Sequence, residues 1–166
     1  MEEGFREGFK EGLGEGSLVR PLIHGMNCQS RSEDETTALG FSIGSQLPIN
    51  SIVCFFGDLG AGKTALVRGI IAGATGLSTE VNSPTFVYLN IHTGSKTVFH
   101  FDLYRLRDAD EFLSMGFDDY FFAGGICCVE WSEKIANILP ENCIRVYMQH
   151  SGENLRGISI IPGKES

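Results

Sequence analysis

The sequence predicts an α/β fold: a mixed parallel and antiparallel sheet flanked by helices. Three observations carry that prediction. Apolar runs of strand length, rich in β-branched and aromatic residues, stand at Ile52–Phe56 and Ile126–Val129. Between them, a Gly-rich loop leads from the first run into a helical pattern. The remaining runs come in pairs separated by short turn segments, which read as antiparallel hairpins rather than the crossovers of an all-parallel sheet. At 166 residues the chain has the length of about one domain.

Residues 1 to 31 read as a Gly- and Glu-rich extension, expected to be flexible. The segments Glu3-Gly4-Phe5-Arg6, Glu7-Gly8-Phe9-Lys10 and Glu11-Gly12-Leu13-Gly14 repeat with Gly at every fourth position. Glycine at that density costs about 1 kcal/mol each in a helix interior. A second reading is a close-packing helix that docks on a partner. The globular domain, residues 32 to 166, opens with Ser32-Glu33-Asp34-Glu35, a capping box. Leu39, Phe41, Ile43 and Leu47 follow it as a helix to about Gln46, and Pro48-Ile49-Asn50 turns the chain into the first buried strand.

Gly57-Asp58-Leu59-Gly60-Ala61-Gly62-Lys63-Thr64 then fits G-x-x-x-x-G-K-[ST] at every fixed position. Glycines let the backbone curl so that successive N–H groups point at phosphate oxygens, and the next helix adds its positive N-terminal end. Leu59, Gly60, Ala61, Gly62, Lys63 and Thr64 are therefore candidate nucleotide contacts. Lys63 would reach the β- and γ-phosphates, and the Thr64 hydroxyl would bind the accompanying magnesium ion. The context, strand before and helix after, specifies a P-loop NTPase core.

After the helix Ala65–Ala74, a loop from Thr75 to Ser83 closes with Ser83-Pro84-Thr85. Phe86–Ile91 and Thr97–Phe101 flank five turn-type residues, an antiparallel hairpin. Asp108 to Gly124 is helical or irregular, Ser132 to Leu139 a short helix, and Cys143–Gln149 with Leu155–Ile161 a closing hairpin. Two strands end in acids, Phe101-Asp102 and Val129-Glu130, either of which could stand near the metal. Thr85 could offer a hydroxyl to the γ-phosphate. Trp131, the single tryptophan, has a π face suited to a purine.

Composition narrows the function classes. A net charge of −8 and the lack of a basic cluster argue against direct nucleic-acid binding. No apolar run approaches the roughly 18 residues that a membrane span needs. Five cysteines without CxxC spacing and a charged start suit a reduced, cytoplasmic protein. The four histidines have no zinc-ligand spacing.

Taken in order, the phosphate loop, Ser83-Pro84-Thr85-Phe86, His100-Phe101-Asp102-Leu103-Tyr104-Arg105-Leu106 and Val129-Glu130-Trp131 resemble the TsaE (YjeE) family. The similarity covers about Ser32 to Ile161. It implies a P-loop fold that binds ATP and Mg2+, hydrolyses slowly alone, and acts with TsaB- and TsaD-like proteins. Those proteins make threonylcarbamoyladenosine at position 37 of tRNA, so tRNA would be met only through the complex. The resemblance assigns Thr85 to a switch loop, Asp102 to the Walker B-like acid and Glu130 to magnesium and hydrolysis. It sets Trp131 near adenine, and Asp34 and Glu35 at the nucleotide's border. Family members often place Arg directly after the Gly of the last hairpin turn; here Glu153 follows Gly152, and Arg156 comes later. Two other classes stay open: a small-molecule kinase using Arg105 and Arg107 as a clamp, and a nucleotide-sensing adaptor without turnover. No Asn-Lys-x-Asp segment that would read guanine is present.

Overall fold

The computed structural model describes residues 25–57, 62–77 and 88–164. Seven strands form one sheet: β1 (Met26–Ser30), β2 (Ile52–Gly57), β3 (Leu89–His92), β4 (Val98–Asp102), β5 (Ile126–Glu130), β6 (Ile144–His150) and β7 (Arg156–Ile161). Their spatial order is β1-β7-β6-β2-β5-β4-β3. The central four, β6, β2, β5 and β4, run parallel, whereas β3, β7 and β1 are added antiparallel. The expected mixed sheet is the observed one. Its centre follows from composition, since β5 and all but the end of β2 are buried on both faces.

Alternation along the strands sends side chains to two cores. On one face, Val53, Phe55, Val98, Ile126, Val146 and Ile158 pack under α1 (Glu33–Gln46) and α2 (Lys63–Thr75). On the other, Ile52, Cys54, Phe99, Phe101, Cys127 and Val129 meet α3 (Ala109–Ser114) and two 3-10 turns, Phe117–Phe122 and Ser132–Ile138. Val98, His100 and Asp102 share the α2 face of β4, and Ile126, Cys128 and Glu130 share it on β5. That alternation is what aims both strand-end acids toward the start of α2.

The capping box holds. Ser32 Oγ accepts from the Glu35 amide at 3.0 Å, and Glu35 Oε2 accepts from the Arg31 amide at 2.8 Å. Helices α1 and α2 pack with almost no side chain between them. A Cβ on Gly40 or Gly44 would lie 2.3 Å from Leu66 O or 2.1 Å from Ile70 O. Reciprocally, one on Gly69 or Gly73 would lie 2.0 Å from Thr37 O or 2.1 Å from Phe41 O.

The β3–β4 hairpin forms as expected, in the register Leu89↔Phe101 to His92↔Val98. Its tip also caps α2: the Ser95 and Lys96 amides donate to Thr75 O and Ala74 O at 2.9 and 3.1 Å. Thr75 itself ends α2 rather than opening a loop, its hydroxyl donating to Ile71 O at 2.7 Å. One strand was not anticipated. Met26–Ser30 lies within the stretch read as an extension, yet pairs with β7 along its whole length, from Met26↔Ile160 to Ser30↔Arg156. All five cysteines are free thiols. Among the described residues, no helix is long and apolar enough to cross a membrane.

Candidate functional site

The site forms where β2, β4 and β5 end beside the start of α2. Strand β2 stops at Gly57, whose φ of 142° suits glycine; a Cβ there would meet Met148 O at 2.3 Å. The chain is next described at Gly62, with φ 93°, before α2 starts at Lys63. Lys63 is 5% exposed, and its Nζ donates to Gly57 O at 2.6 Å, drawing the two ends of the loop together. The same ammonium sits 3.7 Å from the centroid of the Trp131 ring. Trp131 holds a left-handed conformation, φ 60°, which for a bulky residue costs about 1–3 kcal/mol. The turn brings the indole beneath Lys63 and 5.0 Å from the ring of Tyr104.

Glu130, 3% exposed, uses both carboxylate oxygens. The Thr64 hydroxyl donates to Oε1 at 3.3 Å, and His100 Nε2 donates to Oε2 at 2.6 Å. Asp102 stands opposite Glu130 in the β4–β5 register. Burial pushes the Asp102 carboxyl above its ordinary range and the charge of Glu130 adds to this, while the Tyr104 amide, 3.1 Å from Oδ1, opposes it. Two carboxylates on one face, partly desolvated, beside a hydroxyl, make a hard-oxygen donor set. Magnesium favours such a set, keeping waters and phosphate oxygens for its other positions. Among the described residues no group of three or more His, Cys, Asp or Glu side chains converges as a separate metal centre.

Gly62, Lys63, Thr64, Asp102, Glu130 and Trp131, six of the residues expected from sequence, line one cavity of about 360 Å3. Asp34 does not join them. It is exposed, and Glu33 lines the cavity instead, paired with Arg68 at 3.1 Å. One residue along a helix rotates a side chain by about 100°, enough to turn it off the site. Leu59, Gly60, Ala61 and Thr85 lie outside the described residues. Arg105 and Arg107 are exposed and do not line the cavity.

Among the neighbours to which sequence reasoning gave no site role, two stand out. Arg156, the first residue of β7, reaches the cavity from the closing hairpin. It packs against Gly62, where a Cβ would lie 2.8 Å from its Cδ and Nε, and among the described residues that buried Nε has no hydrogen-bond partner. The other is His100. Its position two residues before Asp102 on the same strand was the available signal, since such residues share a face. A larger cavity, about 790 Å3, lies over β1, β7 and β6, lined by Asn27, Gln29, Tyr147, Gln149 and Ser159. Among the described residues its lining has no carboxylate or lysine, unlike that of the smaller one.

The family described as "Threonylcarbamoyl adenosine biosynthesis protein TsaE" matches residues 30–158. A relative from Treponema pallidum, named "tRNA threonylcarbamoyladenosine biosynthesis protein TsaE", is 35% identical over 135 residues, 81% of this chain and 99% of the relative. One of the same name from Rickettsia felis is 40% identical over 131 residues, 78% of this chain and 76% of its own. The crystal structure of Bacillus subtilis YdiB superposes with a TM-score of 0.72 at 26% identity, covering 84% of this chain and 86% of that one.

Proposed function

Because the chain belongs to the TsaE family of threonylcarbamoyl adenosine biosynthesis proteins, we propose that it is a magnesium-dependent ATPase working in tRNA threonylcarbamoyladenosine formation. The observation that carries this reading is the convergence of Lys63, Thr64, Asp102 and Glu130 on one cavity. The parts of a phosphoryl-transfer site are a cation for the phosphates, a hydroxyl and a carboxylate for the metal, and a group that orients the nucleophile.

The Lys63 ammonium and the amides at the start of α2 bind the triphosphate tail. Thr64 Oγ1, with Asp102 and Glu130, would hold Mg2+, which when bound neutralises charge on the β- and γ-phosphate oxygens. Glu130 accepts a hydrogen bond from the attacking water and lines it up behind the γ-phosphorus. A bond forms from the water oxygen to phosphorus as the bond to the β,γ-bridging oxygen breaks, giving ADP and inorganic phosphate. The faces of Trp131 and Tyr104 at the cavity wall offer a platform for the base. The loop residues Leu59, Gly60 and Ala61 would add backbone amides, and Thr85 a switch-loop hydroxyl.

Its partners in this reading are TsaB- and TsaD-like proteins in the cytoplasm. With a net charge of −8, the chain meets tRNA through that complex rather than directly. A kinase built on Arg105 and Arg107 is not favoured, because neither arginine faces the cavity. Phosphate release from ATP without any acceptor, and ATP-dependent co-purification with TsaB and TsaD homologues, test the assignment. Absence of both would overturn it.

Lys63→Ala is expected to weaken ATP binding by about 100-fold or more, since it removes a charge-assisted contact from a confined site. Titration calorimetry measures this directly. In the unsubstituted protein, the fluorescence of Trp131 should change on ATP addition as Lys63 is drawn off the indole. An unchanged signal at saturating ATP would count against the lysine's role.

A further inference from the structure

We propose that His100 is a positioning residue for hydrolysis: by holding Oε2 of Glu130, it leaves Oε1 as the one oxygen presented to Thr64 and the cavity. The inference rests on reading the cavity as an ATPase site and goes beyond it by giving Glu130 a fixed orientation with a named cause.

Both side chains are cut off from water, His100 at 0% and Glu130 at 4% side-chain exposure. A carboxylate in that setting must be satisfied by protein donors. It has two. The bond from His100 Nε2, at 2.6 Å, is short, and the one from the Thr64 hydroxyl, at 3.3 Å, is long. The short bond therefore sets the rotamer, and the long one marks the oxygen that remains available. Strand register makes the pairing possible. His100 lies opposite Cys128 and Asp102 lies opposite Glu130, so the imidazole reaches one diagonal step along the parallel pair β4–β5.

The ring's other nitrogen shows what the histidine is for. Among the described residues, His100 Nδ1 is buried with no hydrogen-bond partner. A histidine kept for packing alone would be better replaced by an apolar side chain, which leaves no orphaned nitrogen. The ring of His92, 6.4 Å from that of His100, supplies it no hydrogen bond either, His92 Nε2 being likewise without a partner among the described residues. The Glu130 contact is thus the one polar contact that this buried imidazole makes among the described residues.

The test compares two amides at the same place. In His100→Gln the side-chain amide nitrogen reaches roughly where Nε2 stands; in His100→Asn it falls short. His100→Leu removes the donor altogether. Steady-state phosphate release should show kcat for His100→Asn and His100→Leu lowered about 10- to 100-fold, the range found when the partner of a metal-site ligand is removed. KM for ATP should stay within about twofold, and His100→Gln should recover most of the lost rate. Melting temperatures distinguish folding damage from mispositioning. Equal kcat in His100→Asn and His100→Gln, or a fall in kcat matched by a rise in KM and a lower melting temperature in all three, would overturn the proposal. If His100→Leu does not fold, the Gln–Asn pair decides alone. An unsubstituted protein that releases no phosphate, with or without its partners, would point instead to failure of the ATPase reading.

Discussion

Glu130→Gln is expected to bind ATP within about threefold of the unsubstituted protein while losing at least ~100-fold in turnover. The range is that for removing one preorganised catalytic contact or general base. Glutamine keeps the shape: its one carbonyl oxygen can still accept from His100, and its amide nitrogen can donate to the Thr64 hydroxyl, which can turn to accept, so the fold should not change. What it lacks is the charge that orients water and balances the metal. Glu130→Ala should give the same split between binding and turnover, with some added loss of stability because His100 Nε2 would lose its buried acceptor. Calorimetry for binding and phosphate release for turnover make the comparison. Normal turnover in the glutamine variant would remove Glu130 from the chemistry.

The second large effect concerns stability. Gly44→Ala and Gly69→Ala should each destabilise the domain by about 3 kcal/mol or more, against the trend of helix propensity. In an exposed helix interior, alanine is better than glycine by about 1 kcal/mol. Here the new methyl would stand 2.1 Å from Ile70 O or 2.0 Å from Thr37 O, both backbone atoms that no rotamer change can clear. The helices must separate, and overpacking of a core costs about 1–3 kcal/mol even where side chains can yield. A fall in melting temperature of roughly 10 °C follows for a domain of this size. A melting temperature unchanged or raised would show that α1 and α2 can part freely.

Most of the fold could be read because it rests on local signals. The runs at β2 and β5 are apolar on consecutive residues, as strands buried on both faces must be. Ser32 and Glu35 mark the start of α1 through bonds confined to one turn. The turn residues between His92 and Val98 set the β3–β4 hairpin. What escaped depends on distant partners. Strand β1, Met-Asn-Cys-Gln-Ser, is half exposed and mostly polar, and only its pairing with β7 at the other end of the chain makes it a strand.

The site divides the same way. Lys63, Thr64, Asp102 and Glu130 were legible from a contiguous motif and from strand ends. His100 and Arg156 were not, because their contacts follow from the registers of β4 on β5 and of β7 on β6. Glu33, and not Asp34, faces the cavity because docking of α1 on α2 fixes its rotation, which a capping signal does not specify. The glycines at 40, 44, 69 and 73 look like poor helix formers until the two backbones are seen to touch.

That contact limits how a bound nucleotide could be sensed from outside. With backbone against backbone over two turns, α1 and α2 behave as a single solid block, and neither can slide like a piston when the γ-phosphate leaves. Under the proposed ATPase reading, the tips of the strands around Asp102 and Trp131 are, among the described residues, the elements left to pass on loss of the γ-phosphate. On that reading, a partner that distinguishes ATP from ADP would grip that rim rather than the outer sides of the paired helices.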